Sequence, residues 1–288
     1  MSFNVDCKNI VNYVLMGSKF IHVDVNYKIF NSCHIKNSVY LNPCLFKTSA
    51  AYPNTIRGAE AILPEQIVAD EVIGNIIRNL KISKNDILIV YGTAGSNLKN
   101  IFFTIHLLKS IGFLKVLYFN ADYKNLPREL LTKDFSIWDS VHEPIRYFDD
   151  IISCQELSAY LKVNVITILD VRSENKFNGT DDTFLQAGHI STAKNIYWKN
   201  FFVQDQITHK PSNVLKSLEE INLLLDTVGL TKEHNLVITG ENGNDIAPIV
   251  YILRCLCGWE NIRCHFASWN VWSYLSDKNS SLFPISKK

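Results

Sequence analysis

The chain has 288 residues, 47% hydrophobic and 20% charged, with 29 lysines and arginines against 28 aspartates and glutamates. That length allows two domains, each burying its own core. The formal charge of +1 carries no polyanion-binding footprint, so nucleic acid is not an expected partner. Met1–Lys8 has neither the basic and apolar blocks of a secretory leader nor the bias of a transit peptide, and Ile101–Phe119 is broken by His106, Lys109 and Lys115, which argues against a membrane span. Seven cysteines without framework spacing read as reduced thiols, and the expected compartment is cytoplasmic.

In chain order, Ile21–Val25 reads as a buried strand ending on an acid, followed by the turn Cys33-His34-Ile35. Asp86–Tyr91 is a second strand, leading through the loop Gly92-Thr93-Ala94-Gly95 into an apolar helix from Leu98 to Ser110, which Gly112 ends. Lys115–Phe119 is the next strand. Asp139–Arg146 reads as a linker, because it is mostly polar and Pro144 disfavours helix at Glu143.

The same order then returns. Val165–Asp170 is a strand ending on an acid, Gly188-His189-Ile190 is the polar turn, and Asn235–Thr239 leads into a loop at Gly240 and an apolar helix ending near Cys257. Gly258 terminates that helix and Asn261–Phe266 is the last strand. Asp24 to Asp170, Gly92 to Gly240 and Gly112 to Gly258 are each separated by roughly 150 residues, a repeat of whole-domain size. Short β-branched runs alternating with helical patterns imply an α/β fold, with a small parallel sheet flanked by helices in each copy. The expected domains are residues 1–140 and 150–288.

Several short motifs stand in a fixed order: Tyr52-Pro53 and Ala61-Ile62-Leu63-Pro64 in the first half, then Asp170-Val171-Arg172, Phe177, Gly179-Thr180, Gly188-His189-Ile190 and Ser268-Trp269 in the second. Together they resemble the tandem-domain rhodanese family, the thiosulfate and 3-mercaptopyruvate sulfurtransferases, over about Val23 to Trp272. The resemblance implies two tandem rhodanese-like domains, the first non-catalytic, with a site in the cleft between them. It also implies that the loop Gly240-Glu241-Asn242-Gly243-Asn244-Asp245 is where the family carries its cysteine nucleophile. Here that position is Gly240, and the family's Asp-Gly before Ser-Trp is Phe266-Ala267.

Sulfur transfer of this kind runs through a persulfide, which requires a thiolate. The loop's backbone N–H groups and the helix start would stabilise it. Glycine offers no sulfur, so no catalytic residue is assigned and the reading is a pseudoenzyme acting as a binding or regulatory module. Glu241 and Asp245 also oppose an anionic substrate, since like charges a few ångströms apart cost on the order of several kcal/mol in a partly buried cleft. Asp245 reads as the helix N-cap and Glu241 as a solvated first-turn acid.

The resemblance makes Arg172 an anion-holding group. On its residues alone it could equally pair with Glu174, Asp181 or the loop acids. His34 and His189 read as turn-fixing hydrogen-bond partners, and Trp269 and Trp272 as packing residues at the domain seam. Arg172, the Gly240–Asp245 loop and Trp269 are the expected ligand surface, for an unidentified protein or small anion at the interdomain cleft. No metal or cofactor is expected. The alternative is an active sulfurtransferase using another thiol, Cys33 or Cys44. Cys255, Cys257 and Cys264 read as core, while Cys7 and Cys154 carry no signal. A phosphatase or arsenate reductase on the related fold would need the same missing cysteine.

Overall fold

A computed structural model of the chain describes residues 4–47, 70–93, 97–138, 150–181, 184–207 and 210–287. The Tyr52-Pro53 and Ala61–Pro64 motifs, Ala94-Gly95 and the linker Asp139–Arg146 lie outside the described residues. Two compact units result: one of the described residues up to 138 together with Phe202–Leu215, the other of 150–201 and 216–287.

The first unit runs β1 (Asn4–Val5), α1 (Ile10–Leu15), β2 (Lys19–Val23), α2 (Tyr27–Ser32), β3 (His34–Ile35), β4 (Ser38–Leu41), α3 (Asp70–Leu80), β5 (Leu88–Tyr91), α4 (Leu98–Ser110), β6 (Val116–Phe119) and β7 (Leu131–Thr132). Its sheet has the order β1-β6-β5-β2-β4, with every pairing parallel. Burial of all four residues of β5 is what a parallel sheet covered on both faces demands. An antiparallel strand pair, Phe202–Gln204 with Pro211–Leu215, belongs to this unit although it comes from the second half of the chain. It is held by the Tyr118 hydroxyl, which donates to the Asn213 carbonyl at 2.6 Å, and by the Leu215 N–H, which donates to Asn120 Oδ1 at 2.9 Å.

The second unit runs α5 (Cys154–Val163), β8 (Thr167–Asp170), α6 (Glu174–Asn178), β9 (His189–Ile190) and β10 (Lys194–Asn195). After the first unit's Phe202–Gln204 and Pro211–Leu215 (β11 and β12) come α7 (Leu218–Asp226), β13 (Leu236–Thr239), α8 (Gly243–Tyr251) with a π-helical continuation Ile252–Leu256, β14 (Ile262–Cys264), α9 (Ser268–Lys278) and β15 (Ile285–Ser286). Ser153 with Glu156 and Ser217 with Glu220 form capping boxes that start α5 and α7. The sheet order is β10-β8-β13-β14, all parallel. A parallel bridge from Ile151 to Cys264 takes the place on β14 that β1 takes on β6.

The two units thus repeat one element order, down to the small antiparallel pairs β3–β7 and β9–β15 that carry the two His-Ile turns. This is the expected α/β class, with parallel sheets flanked by helices. The second core gathers Leu157, Ile168, Ile190, Val237, Trp269, Val271, Trp272 and Phe283. The first gathers Phe20, Ile35, Ile89, Tyr91, Phe119 and Tyr123. Among the described residues no helix is long and apolar enough to cross a membrane.

Candidate functional site

The expected ligand surface, Arg172, the Gly240–Asp245 loop and Trp269, falls within the second unit, beside the carboxyl ends of β8 and β13, whereas the alternative thiols Cys33 and Cys44 belong to the first unit. In open parallel α/β sheets that end is where loops collect and ligands bind. Asp170 closes β8 and is fully buried, and Arg172, two residues on, is 2% exposed. The Arg172 Nε donates to both carboxylate oxygens of Asp170 at 3.1 and 3.0 Å, and its Nη2 donates to Oδ2 at 2.6 Å. Nη2 also donates to the Gly188 carbonyl at 2.8 Å, and the guanidinium lies 4.2 Å from the centroid of the Trp269 ring. The partner of Arg172 is therefore Asp170, not Glu174, Asp181 or the loop acids. The chain bends just after β8, and the Arg172 N–H itself donates to Asp170 Oδ1 at 3.0 Å, which brings the two side chains together. Among the described residues, Nη1 has no hydrogen-bond partner, nor has the buried Trp269 Nε1.

Arg172 thus ties the strand end to the Gly188 turn. Gly188 has φ +115°, and a Cβ there would lie 2.3 Å from the Ser286 carbonyl oxygen, so the turn requires glycine. The His189 ring stacks on Phe177 with centroids 3.7 Å apart, and its Nδ1 contacts the Phe177 carbonyl at 2.8 Å. His34 repeats this in the first unit, stacking on Phe30 at 3.9 Å, with Nδ1 at 2.9 Å from the Phe30 carbonyl. A cavity of about 520 Å³ beside the His189 turn is lined by Phe177, Asn195, Tyr197 and Leu224 among others, and the Gly240 loop does not line it.

The loop itself is tightly bonded. The Gly240 N–H donates to Ser268 Oγ at 3.3 Å, the Trp269 N–H to the Gly240 carbonyl at 2.9 Å, and the Asn270 N–H to the Glu241 carbonyl at 3.2 Å. Asn242, not Asp245, is the N-cap of α8, its side chain accepting from the Asn244 N–H at 3.0 Å. Asp245 is the third helical residue. It is 3% exposed, and its carboxylate reaches back to accept the Glu241 N–H at 3.1 Å. Glu241 is not simply solvated, because it forms an ion pair with Lys176. Gly243 is also constrained, since a Cβ there would fall 2.1 Å from the Phe266 ring. Trp269 and Trp272 are both part of the second unit's own core.

Sequence reasoning missed one constellation. Cys154, the first residue of α5, places its sulfur 3.1 Å from His265 Nε2, and His265 Nδ1 lies 3.0 Å from Thr239 Oγ1, one residue before Gly240. All three are buried, and burial pushes the His265 pKa down to about 3, so the ring is neutral at ordinary pH. The only signal was the residue types, because Cys154 and His265 lie 111 positions apart. Of the other thiols, Cys264 and Cys257 are buried, Cys255 and Cys33 half-buried, and Cys44 and Cys7 exposed.

This arrangement, a β8 end closing on Asp170-Val171-Arg172 and a β13 end opening through a tight loop into α8, falls in the segment that matches the rhodanese-like domain family, residues 153–274. A candidate thiosulfate sulfurtransferase of Synechococcus elongatus is 24% identical over 263 residues, 88% of this chain and 77% of that one. Among solved structures, SseA of Escherichia coli, described as a 3-mercaptopyruvate sulfotransferase, superposes with a TM-score of 0.74 at 16% identity, over 93% of this chain and 99% of that one. EanB superposes with a TM-score of 0.76 at 14% identity, over 99% of this chain and 69% of that one. The chain therefore has the two-domain rhodanese architecture, with sulfurtransferases among its homologues.

Proposed function

We propose that this rhodanese-like protein has lost cysteine persulfide catalysis and works as a binding or regulatory module built on a sulfurtransferase scaffold. The observation that carries the proposal is Gly240 at the β13–α8 loop, where the sequence resemblance puts the family's nucleophile. The surrounding electrostatics support it. Three groups that could receive an anion are already engaged by internal carboxylates: Arg172 through Nε and Nη2 by Asp170, Lys176 by Glu241, and the Glu241 N–H by Asp245. A carboxylate already seated on a cation or amide must be displaced before an external anion can bind, which costs more than filling an empty cradle.

The proposed partner is a protein or small molecule that engages the second unit at this loop. The test is mass spectrometry of the natural chain after incubation with thiosulfate and with 3-mercaptopyruvate. No cysteine should gain a sulfur atom. A stoichiometric persulfide would sink the proposal.

One observation favours a second reading, an active sulfurtransferase using a different thiol. Cys154 touches His265, which is in turn oriented by Thr239, an arrangement of nucleophile, base and orienting group. Against it, the sulfur is fully buried and packed in the core. If a persulfide forms and Cys154→Ser abolishes it while Cys33→Ser and Cys44→Ser do not, this reading replaces the first.

A further inference from the structure

We infer that the second unit carries a second binding site, at the amino ends of its parallel strands, for a free amino acid with an aliphatic side chain. This site is independent of the Gly240 loop and of the function proposed for it. A cavity of about 400 Å³ opens at that end of the sheet, within the roughly 300–1,000 Å³ of small-molecule sites. Its apolar wall is aliphatic, formed by Val165, Ile166, Leu236 and Ile262, where β8, β13 and β14 begin. Val165 is half exposed, an apolar side chain that a ligand in the cavity would cover.

The polar groups beside that wall leave one acceptor and one cation uncommitted. Arg254 lies in the π-helical continuation of α8, a distortion often found at functional sites. It donates to Asp150 Oδ2 and to the Ile262 carbonyl, and the Cys264 thiol also donates to Oδ2, at 3.6 Å. Both side-chain donors to Asp150 thus meet one oxygen. The other, Oδ1, is buried and has no hydrogen-bond partner among the described residues, a costly state for an acceptor. Arg263, on β14, has no carboxylate within ion-pair distance among the described residues. Its Nη1 donates to the Tyr160 hydroxyl at 3.2 Å, and its guanidinium stands 5.1 Å from the centroid of that ring. Glu156, whose carboxyl is held below the usual range first by its bonds to Ser153 and last by the Arg263 charge, is committed to the α5 cap.

Asp150 and Arg263 both line the cavity, so an ammonium group fits the first and a carboxylate the second, which can receive it through two parallel N–H bonds. With Glu260 and Arg254 the wall carries two acids against two arginines, which favours a neutral zwitterion over a net anion or cation. A molecule that holds both charges beside an aliphatic chain is a free aliphatic amino acid. A peptide terminus offers only one of the two.

The test is isothermal titration calorimetry of the natural chain with L-leucine, with isopentylamine, which lacks the carboxylate, and with 4-methylpentanoate, which lacks the ammonium. Leucine should bind saturably and more tightly than either analogue by roughly tenfold or more. Equal affinity for all three, or no saturable binding of leucine, overturns the inference. Arg263→Gln then places the site, at an exposed position whose change leaves the core untouched. In that variant leucine should weaken to the level of isopentylamine, while isopentylamine itself binds as before. Unchanged leucine affinity overturns the inference. Asp150→Asn should bring leucine to the level of 4-methylpentanoate, and unchanged affinity there overturns it too. Melting curves establish that each variant is folded. Because Asp150 also holds Arg254, a failure of Asp150→Asn to fold leaves the decision to Arg263→Gln and the analogue series. Thiosulfate turnover by the natural chain would sink the functional proposal and leave this site standing.

Discussion

Asp24 follows the end of β2 in the first unit as Asp170 ends β8 in the second, and the two buried carboxylates are satisfied differently. Asp24 accepts the Thr93 hydroxyl at 2.6 Å and lies 3.4 Å from Asn97 Nδ2, both neutral donors. Asp170 meets the Arg172 guanidinium in a fork closing at 2.6 Å. The second unit therefore keeps a charged, tightly bonded site, while the first keeps only its outline.

The largest way to break this contrast is to remove the cation. Arg172→Ala strands Asp170 as a buried charge and should cost about 4 kcal/mol. Thr93→Val, its counterpart in the first unit, removes one of the neutral donors and should cost about 1 kcal/mol. Urea denaturation of the two variants measures both, and equal losses would contradict the distinction. Next comes Gly188→Ala, which forces a side chain into a positive-φ turn against the Ser286 carbonyl and should cost about 3 kcal/mol in the same experiment.

Smaller and sharper is a pH effect that compares two buried histidines. Burial lowers the His22 pKa to about 4 and the His265 pKa to about 3, from an ordinary 6.5. Below 6.5 the unfolded chain takes up protons that the native rings refuse, so stability is fully present above pH 6.5 and is lost as pH falls toward those values. Between pH 7 and pH 5 each histidine should withdraw about 2 kcal/mol. His22→Phe should remove part of that slope, since among the described residues neither ring nitrogen of His22 has a hydrogen-bond partner and three aromatic rings surround it. An unchanged slope would show that His22 titrates normally.

Much of the fold was legible in the sequence. The duplicated order of strand, acid, His-Ile turn, glycine loop and apolar helix survives in both units, and the helix Leu98–Ser110 has the limits its apolar pattern suggests. Gly112 and Gly258 end their helices in the positive-φ conformation that only glycine enters without strain. What escaped were choices among chemically equivalent neighbours. Asn242, Asn244 and Asp245 can all cap a helix, and only the point where the backbone turns helical selects Asn242. Arg172 had several acids within reach, and only the bend after β8, where its N–H meets the Asp170 carboxylate, selects Asp170. Cys154 found its partner through the tertiary fold, which no local pattern encodes.

The most direct test of the central claim is steady-state thiocyanate formation by the natural chain, with cyanide as acceptor and thiosulfate or 3-mercaptopyruvate as donor. With glycine at position 240 and Asp245 on the loop amide, the rate should match that of the uncatalysed mixture. Turnover proportional to protein concentration would contradict the account and move attention to Cys154 and His265.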